Sequence, residues 1–369
     1  MTRLSIRLAL LALLGATTAP SAQTTAAPSP PFVPSGNVWG YVFADYFYKF
    51  RGDSAWGTSQ YAKTPKDLHA GQLRRLYLGY DYRIAPKFTS RVLLEANNST
   101  TFAGGSYGVL VKLGYIAWNR PAGLPLTVSA GLVPTPLFSF PERAWGYRSI
   151  EKEVLDARGI GSSADQGLLV EGTIGADGDY RLMVGNNSGT KPATERSKAV
   201  YSSISQRFLD KRLSLELMGT YLARSRGRDR SIGRVFVNYE GRHATFGLEV
   251  AGVYEASPAE FSSAAGTDVT RLLSSVFVAV PLRRAGVPVK LFARYDVYDP
   301  DLDFAADRAY TIPDPFYSEH LYTLGFDIAP HPRVHVMPNL WVNSYRERGG
   351  RPARSADVVP RITFYWTFG

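Results

Sequence analysis

Residues 361–368 read Arg-Ile-Thr-Phe-Tyr-Trp-Thr-Phe, so that apolar side chains stand at every second position. Successive side chains of a β-strand point to opposite faces, and this period of two therefore predicts a strand with one apolar and one polar face. The stretches 287–298 and 211–222 alternate in the same way, and the polar face of the former carries Lys290 and Arg294. The repetition of the pattern indicates a sheet with one apolar side and one wet side.

The connections between such stretches alternate in length along the whole chain. Every second connection is tight, as at 85–86, 241–243 and 329–331, whereas those between are long, as at 51–71 and 299–317. The main alternative is a soluble β-sandwich, in which nothing requires short and long connections to alternate. Bacterial outer-membrane barrels do show this alternation, because their periplasmic turns are short and their external loops are long.

We therefore predict an all-β fold, a transmembrane antiparallel up-and-down β-barrel of about 16 strands. Its apolar side would face lipid, its polar side would line a water-filled lumen, and both termini would lie on the periplasmic side. The strands are predicted at 37–50, 72–83, 86–97, 109–118, 125–133, 165–173, 178–186, 199–208, 211–222, 232–241, 244–255, 270–282, 287–298, 318–328, 332–343 and 357–368.

Three segments divide the chain. Residues 1–22 combine two arginines, a short apolar core and small residues near the end, which is typical of a secretory signal peptide. Residues 23–36 are rich in Pro, Ala, Ser and Thr and are predicted to form a flexible linker. Residues 37–369 would form the barrel. We accordingly predict export to the bacterial outer membrane.

The composition bears on the partners of such a chain. It carries 42 Lys and Arg against 32 Asp and Glu, a formal charge of +10, and it has no cysteine. An exported barrel meets no nucleic acid in its compartment, so small anionic solutes and outer-membrane lipid are the predicted partners of its positive charge.

The polar face predicts which charges line the lumen. The inward bases include Arg75, Arg91, Lys112, Arg234, Lys290 and Arg294, and inward bases outnumber inward acids in our strand assignment. Lining charges between low-dielectric walls concentrate ions of the opposite sign, so this excess predicts an anion-preferring pore. A charge-balanced lumen without selectivity is the alternative.

The longest connection, 134–164, is predicted to constrict the pore. Long loops without secondary structure usually have a function, and this one combines aromatic residues that could anchor it with many charges. Arg143, Arg148, Lys152 and Arg158 are its candidate constriction residues. The alternative is a loop exposed on the outer surface.

Several motifs resemble the phosphate-selective porin O and P family and related outer-membrane porins. They are Gly131-Leu-Val-Pro134-Thr-Pro136, Arg148-Ser-Ile150-Glu151-Lys152 and Asp165-Gln-Gly167, together with the opening Gly40-Tyr-Val-Phe-Ala-Asp45-Tyr. The resemblance implies a barrel of about 16 strands, often trimeric, whose third external loop narrows a pore for small anions such as phosphate.

We therefore predict a porin for passive diffusion of small hydrophilic solutes, with no cofactor and no metal. Three other functions are alternatives. A non-conducting structural or adhesive barrel would bind a partner through its long loops, and a transporter of hydrophobic substrates would need an apolar path through the lumen. A barrel enzyme would need a nucleophile beside a base, and the sequence shows no Gly-x-Ser-x-Gly elbow.

Overall fold

The computed structural model describes residues 32–54, 57, 59–224, 228–256, 268–282, 286–308, 310 and 314–369. The predicted signal peptide and residues 23–31 of the predicted linker lie outside these ranges. Within them, no helix has the length and apolar character needed to cross a membrane.

Sixteen antiparallel strands close into one barrel, which confirms the predicted fold class. Each strand pairs with its neighbours along the chain, and the first pairs with the last, for example Tyr41 with Thr367. Closure leaves no strand edge unpaired. The strands are β1 (Ser35–Tyr48), β2 (His69–Ala85), β3 (Phe88–Thr101), β4 (Tyr107–Asn119), β5 (Leu126–Pro134), β6 (Ala164–Ile174), β7 (Gly178–Gly185), β8 (Lys198–Phe208), β9 (Leu213–Ala223), β10 (Arg230–Glu240), β11 (Thr245–Glu255), β12 (Val269–Leu282), β13 (Val289–Asp299), β14 (Tyr317–His331), β15 (Val334–Glu347) and β16 (Asp357–Phe368).

The strand faces follow the period of two. On β16, Ile362 and Phe364 are both 42% exposed on the outside, whereas Arg361 is 4% and Thr363 is 0% exposed on the inside. On β13, Phe292 and Arg294 point inward and are buried, as the sequence predicted. The outside of the barrel is thus covered by apolar side chains, and the charges of the strands lie inside.

One irregularity changes the inward face of β2. Phe43 of β1 pairs with Arg75, but the next residue, Ala44, pairs with Leu73, so Arg74 is an extra residue in β2. Such a bulge turns two successive side chains toward the same face. Arg74 and Arg75 therefore both point into the barrel, where the simple alternation predicts only Arg75.

The short turns and the long loops lie at opposite ends of the barrel. The longest connection between described strands, loop 3 (135–163), joins β5 to β6 and contains two short helices, α1 (Ser139–Trp145) and α2 (Val154–Ala157). Gly131 precedes it with φ of 125°, and a Cβ there would collide with the Gly114 carbonyl oxygen of β4. A glycine is thus required where β5 runs close against β4 before the chain leaves the wall.

Candidate functional site

Loop 3 lies inside the barrel. The rings of Trp145 and Phe277 are 5.0 Å apart between centroids, and those of Tyr147 and Phe292 are 4.6 Å apart. Phe277 and Phe292 are inward residues of β12 and β13, so loop 3 crosses the lumen to reach the far wall. Aromatic pairs at such distances stabilise a fold by more than the burial of their surface area alone would.

A second apolar cluster holds both ends of loop 3. Leu137, Val154 and Leu155 are at most 1% exposed and pack in one cluster with wall residues that include Met183 and Leu273. The loop therefore has an apolar core of its own that is continuous with the inner wall of β7 to β12.

Three hydrogen bonds from the wall fix the segment between the helices. Arg74 donates to the carbonyl oxygen of Ser149 at 2.5 Å, and Arg361 donates to that of Ile150 at 2.6 Å. The indole nitrogen of Trp341 donates to the Glu151 carboxylate at 2.7 Å. Buried backbone carbonyls require such partners, and charged donors make the stronger bonds.

Arg234 is a fully buried cation that holds loop 3. Its side chain is 0% exposed and lies 2.6 Å from the Glu216 carboxylate, 3.5 Å from Glu249 and 3.6 Å from Glu153. It also donates to the carbonyl oxygen of Leu137. Arg234 points inward as predicted, but loop 3 covers it, so it ties the loop to the wall and has no contact with open water.

Glu153 joins this cluster to α2. One of its carboxylate oxygens accepts hydrogen bonds from the backbone N–H groups of Leu155 and Asp156, both at 2.9 Å, and so caps the helix. Burial, with Glu249 close by, raises the pKa of Glu153 well above its ordinary value even though Arg234 opposes the shift. The attachment of loop 3 thus includes a carboxyl group that keeps its proton to a higher pH than an ordinary glutamate does.

The opposite side of loop 3 is polar and reached by water. The Arg148 guanidinium lies 2.9 Å from Glu142 and 3.2 Å from Asp156, and the Lys152 ammonium lies 3.3 Å from Asp156. The side chain of Lys152 is 31% exposed, that of Arg148 19%. These two predicted constriction residues therefore lie together on one charged surface of the loop.

The wall that shares this polar space is formed by β2, β3 and β4. Arg75 and Lys112 lie 2.7 and 3.0 Å from the Glu95 carboxylate, and they are 15% and 18% exposed while Glu95 is 2% exposed. Burial would raise the pKa of Asp156, but Arg148, Lys152, Arg75 and Lys112 together hold it below its ordinary value. The bases of the wall thus act on the acid of the loop. We call the space bordered by Arg75, Lys112, Arg148 and Lys152 the gap.

The remaining predicted residues are separated from the gap. Arg158 is 2% exposed, pairs with Glu319 at 3.0 Å and lies over the Tyr298 ring. Arg294 forms two hydrogen bonds to Asp296 beneath Trp145. Both are buried anchors in the structure.

Three predicted residues lie in more open positions. Arg91 is 36% exposed and pairs with Asp81 at 2.6 Å, toward the short-turn end of β3. Lys290 is exposed on the inward face near the start of β13, and Arg143 is exposed on α1. Arg143 faces β5 to β10, whereas the gap is bordered by β2 to β4.

Several inward charges were missed by the sequence analysis. Asp45, on the lumen side of β1, lies 3.2 Å from Arg74, and Glu255 gathers Arg224, Arg230 and Arg271 within 3.3 Å. Alternation alone indicates the inward position of these acids, whereas Arg74 depends on the bulge. The missed inward acids are Asp45, Asp165, Asp179, Glu255, Glu319 and Asp357, and the missed bases are Arg74, Arg83 and Arg230. The described strands consequently carry no overall excess of inward bases.

No cluster of three metal-binding side chains occurs in the part of the chain that the structure describes. No family model and no curated protein matches this sequence.

Solved structures of outer-membrane proteins share the fold. The barrel matches the anion-selective porin from Comamonas acidovorans with a TM-score of 0.60 and 12% identity, over 91% of this chain and 100% of that one. It matches the outer-membrane channel DcaP of Acinetobacter baumannii with a TM-score of 0.65 and 11% identity, over 91% and 97% of the two chains. OmpF of Salmonella typhi matches with a TM-score of 0.57 and 10% identity, over 90% and 97%. At such identities the likeness establishes a porin-type barrel fold. The finer resemblance to phosphate-selective porins remains a prediction.

Proposed function

We propose that the chain is an outer-membrane porin that lets small hydrophilic solutes diffuse passively, with a preference for small anions. The observation that carries this proposal is the asymmetric seat of loop 3. One side of the loop packs apolar side chains against β7 to β13, and the other side leaves exposed charges facing β2 to β4. A loop that divides a lumen in this way confines solutes to the gap, where its charges act at short range.

A membrane location is supported by the outer surface. Phe246, Leu248 and Val250 of β11 and four outward residues of β16 are between 38% and 50% exposed, which is costly in water but favourable in lipid. The four residues of β16 are Ile362, Phe364, Trp366 and Phe368. Export through residues 1–22 and residence in the bacterial outer membrane are part of the proposal. We include a homotrimer, because a matching structure of OmpT from Vibrio cholerae is described as a trimer form.

Anion preference rests on the gap alone, because the wall as a whole is balanced. The gap presents four bases, Arg75, Lys112, Arg148 and Lys152, against three acids. Glu95 is 2% exposed beneath two of these bases, whereas Glu142 and Asp156 are each 18% exposed. Burial also raises the pKa of Glu142 above its ordinary value although Arg148 opposes the shift. An ion in the gap therefore meets a small excess of positive charge.

Reconstitution of the purified protein in planar bilayers tests the proposal. We expect stable single-channel conductance. In a KCl gradient, we expect a reversal potential with the sign of the chloride equilibrium potential. A preference for potassium would refute the anion assignment but leave the porin intact. A folded barrel without conductance would refute the porin and favour the alternative, a structural or adhesive barrel that acts through its external loops.

A further inference from the structure

A second polar chamber lies at the short-turn end of the barrel, between α1 and the inner wall of β5 to β10. Its volume is about 710 Å³, within the range of roughly 300–1,000 Å³ that is typical of small-ligand sites. Arg120 and Lys211, from two of the short turns, form its rim, and Phe140 and Arg143 of α1 form its roof. The chamber adjoins a different set of strands from the gap.

The strand register places an ordered row of polar side chains on the chamber wall. Thr127 pairs with Glu171, Glu171 with Arg181, and Arg181 with Ser203, across β5 to β8. Arg181 lies 3.3 Å from the Glu171 carboxylate and donates to the Ser139 hydroxyl of α1 at 2.7 Å. The ion pair holds both Arg181 and Glu171 in place. Ser203 therefore lies beside a fixed donor, Arg181, and a fixed acceptor, Glu171.

A second row lies one step closer to the turns. Asp179 pairs with Ser205 and Ser205 with Glu216, while Arg207 lies 2.9 Å from the Asp179 carboxylate. Glu216 is paired with Arg234, an inward residue of the neighbouring β10. The wall therefore alternates serine hydroxyls with paired charges, a pattern of donors and acceptors suited to a ligand with several hydroxyl groups.

Arg143, like Arg120 at the rim, differs from the other bases of the chamber. It makes no ion pair with any residue in the described ranges, and its guanidinium lies over the Phe140 ring at 5.9 Å. Partial desolvation beside the wall, together with Arg181, lowers the pKa of Arg143 below its ordinary value, although Glu216 and Asp179 oppose the shift. An arginine in this setting gains by accepting an anionic partner, and a carboxylate matches its planar donors.

We propose that this chamber binds a hydroxylated carboxylate of the sugar-acid class. Arg143 holds the carboxylate, Ser203 and Ser205 bind the hydroxyl groups, and the Phe140 ring covers one face of the ligand. A bare inorganic anion would need several converging free bases, whereas here the others are largely paired; a neutral sugar would leave Arg143 unused. The inference rests on the proposed function in one respect, because the ligand would reach the chamber through the pore. Binding itself can be measured whether or not the barrel conducts ions.

Titration of the purified full-length barrel in detergent, followed by saturation-transfer NMR, tests the site with D-gluconate, D-glucose and acetate as probes. We expect gluconate to bind more tightly than glucose, which lacks the carboxylate, and more tightly than acetate, which lacks the hydroxyl groups. Arg143→Gln should weaken gluconate binding by about tenfold or more, because a charged hydrogen bond is lost. The double variant Ser203→Ala, Ser205→Ala should weaken gluconate but leave acetate unchanged. Arg228→Gln, at an exposed position outside the chamber, is the matched control.

Equal affinity for acetate and gluconate would overturn the proposal, as would an Arg143→Gln variant that folds and binds gluconate like the wild type. The outcome is separable from that of the porin assignment. A barrel that binds gluconate but does not conduct would refute only the porin, and a conducting barrel that binds no gluconate would refute only this site.

Discussion

Replacing Lys152 by glutamine is the most informative single change in the gap. Lys152 is the most exposed of the four bases there, with 31% of its side chain accessible. Its partner Asp156 keeps a second ion pair, to Arg148 at 3.2 Å, so the variant removes one charge without freeing α2.

The size of the effect follows from Coulomb's law. A monovalent ion that passes within roughly 6 Å of the Lys152 ammonium interacts with it by ~0.7 kcal/mol at the dielectric constant of water. This energy changes the local concentration about threefold, in opposite directions for the two signs of ion. At that dielectric constant the ratio of anion to cation permeability should therefore fall by about tenfold, and screening over a Debye length of ~8 Å reduces the fall to several-fold.

The assay is the reversal potential of single channels in a KCl gradient, with Arg228→Gln as control. Arg228 is exposed in the connection between β9 and β10, where solvent and salt screen it. We expect Lys152→Gln to shift the reversal potential clearly and Arg228→Gln to leave it near the wild-type value. Equal shifts in the two variants would show that selectivity is not set at the gap.

Three further predictions concern the attachment of loop 3. Trp145→Ala removes a ring buried against the far wall, which costs about 3–5 kcal/mol, so single-channel conductance and proteolytic cleavage of loop 3 should both rise; unchanged conductance with intact loop 3 would contradict this. Arg234→Leu leaves three buried carboxyl groups without their cation, and the loss of about 3–5 kcal/mol should lower the unfolding temperature measured by circular dichroism; an unfolding temperature equal to that of the wild type would contradict the anchoring role. Because the pKa of Glu153 lies above its ordinary value of 4.5, the folded state retains a proton that the unfolded state has lost. Attachment should then weaken as pH rises above that value, seen as faster cleavage of loop 3, and Glu153→Gln should remove this dependence.

The strands could be predicted from the sequence because their signal is local. The period of two and the turn residues lie within each strand, so all sixteen strands were found and their bounds differ by a few residues, as for 72–83 against His69–Ala85. The inward acids Asp45, Glu255 and Glu319 obey the same period and were open to the same reasoning.

The bulge at Arg74 could not be predicted in this way. It depends on how β2 pairs with β1, and a change of register by one residue sends side chains to the other face. The sequence of β2 alone therefore predicts one inward arginine where the structure has two.

The roles of individual bases depend on contacts between distant parts of the chain. Arg234 and Lys112 have the same inward orientation, but loop 3 covers Arg234 and leaves Lys112 beside water. The aromatic residues of 134–164 predicted that the loop would find an apolar wall. The closed barrel determines which strands lie opposite the loop. It therefore also determines which wall the loop contacts and which bases stay exposed.

The central claim is that solutes pass through the gap between loop 3 and β2 to β4. The chain has no cysteine, so a single cysteine in place of Lys112 gives one reactive site on the wall of the gap. We predict that a bulky methanethiosulfonate reagent, added during single-channel recording, will reduce the current of Lys112→Cys in discrete steps and leave that of Arg228→Cys unchanged. An unaltered current through Lys112→Cys channels that mass spectrometry shows to be fully modified would contradict the account.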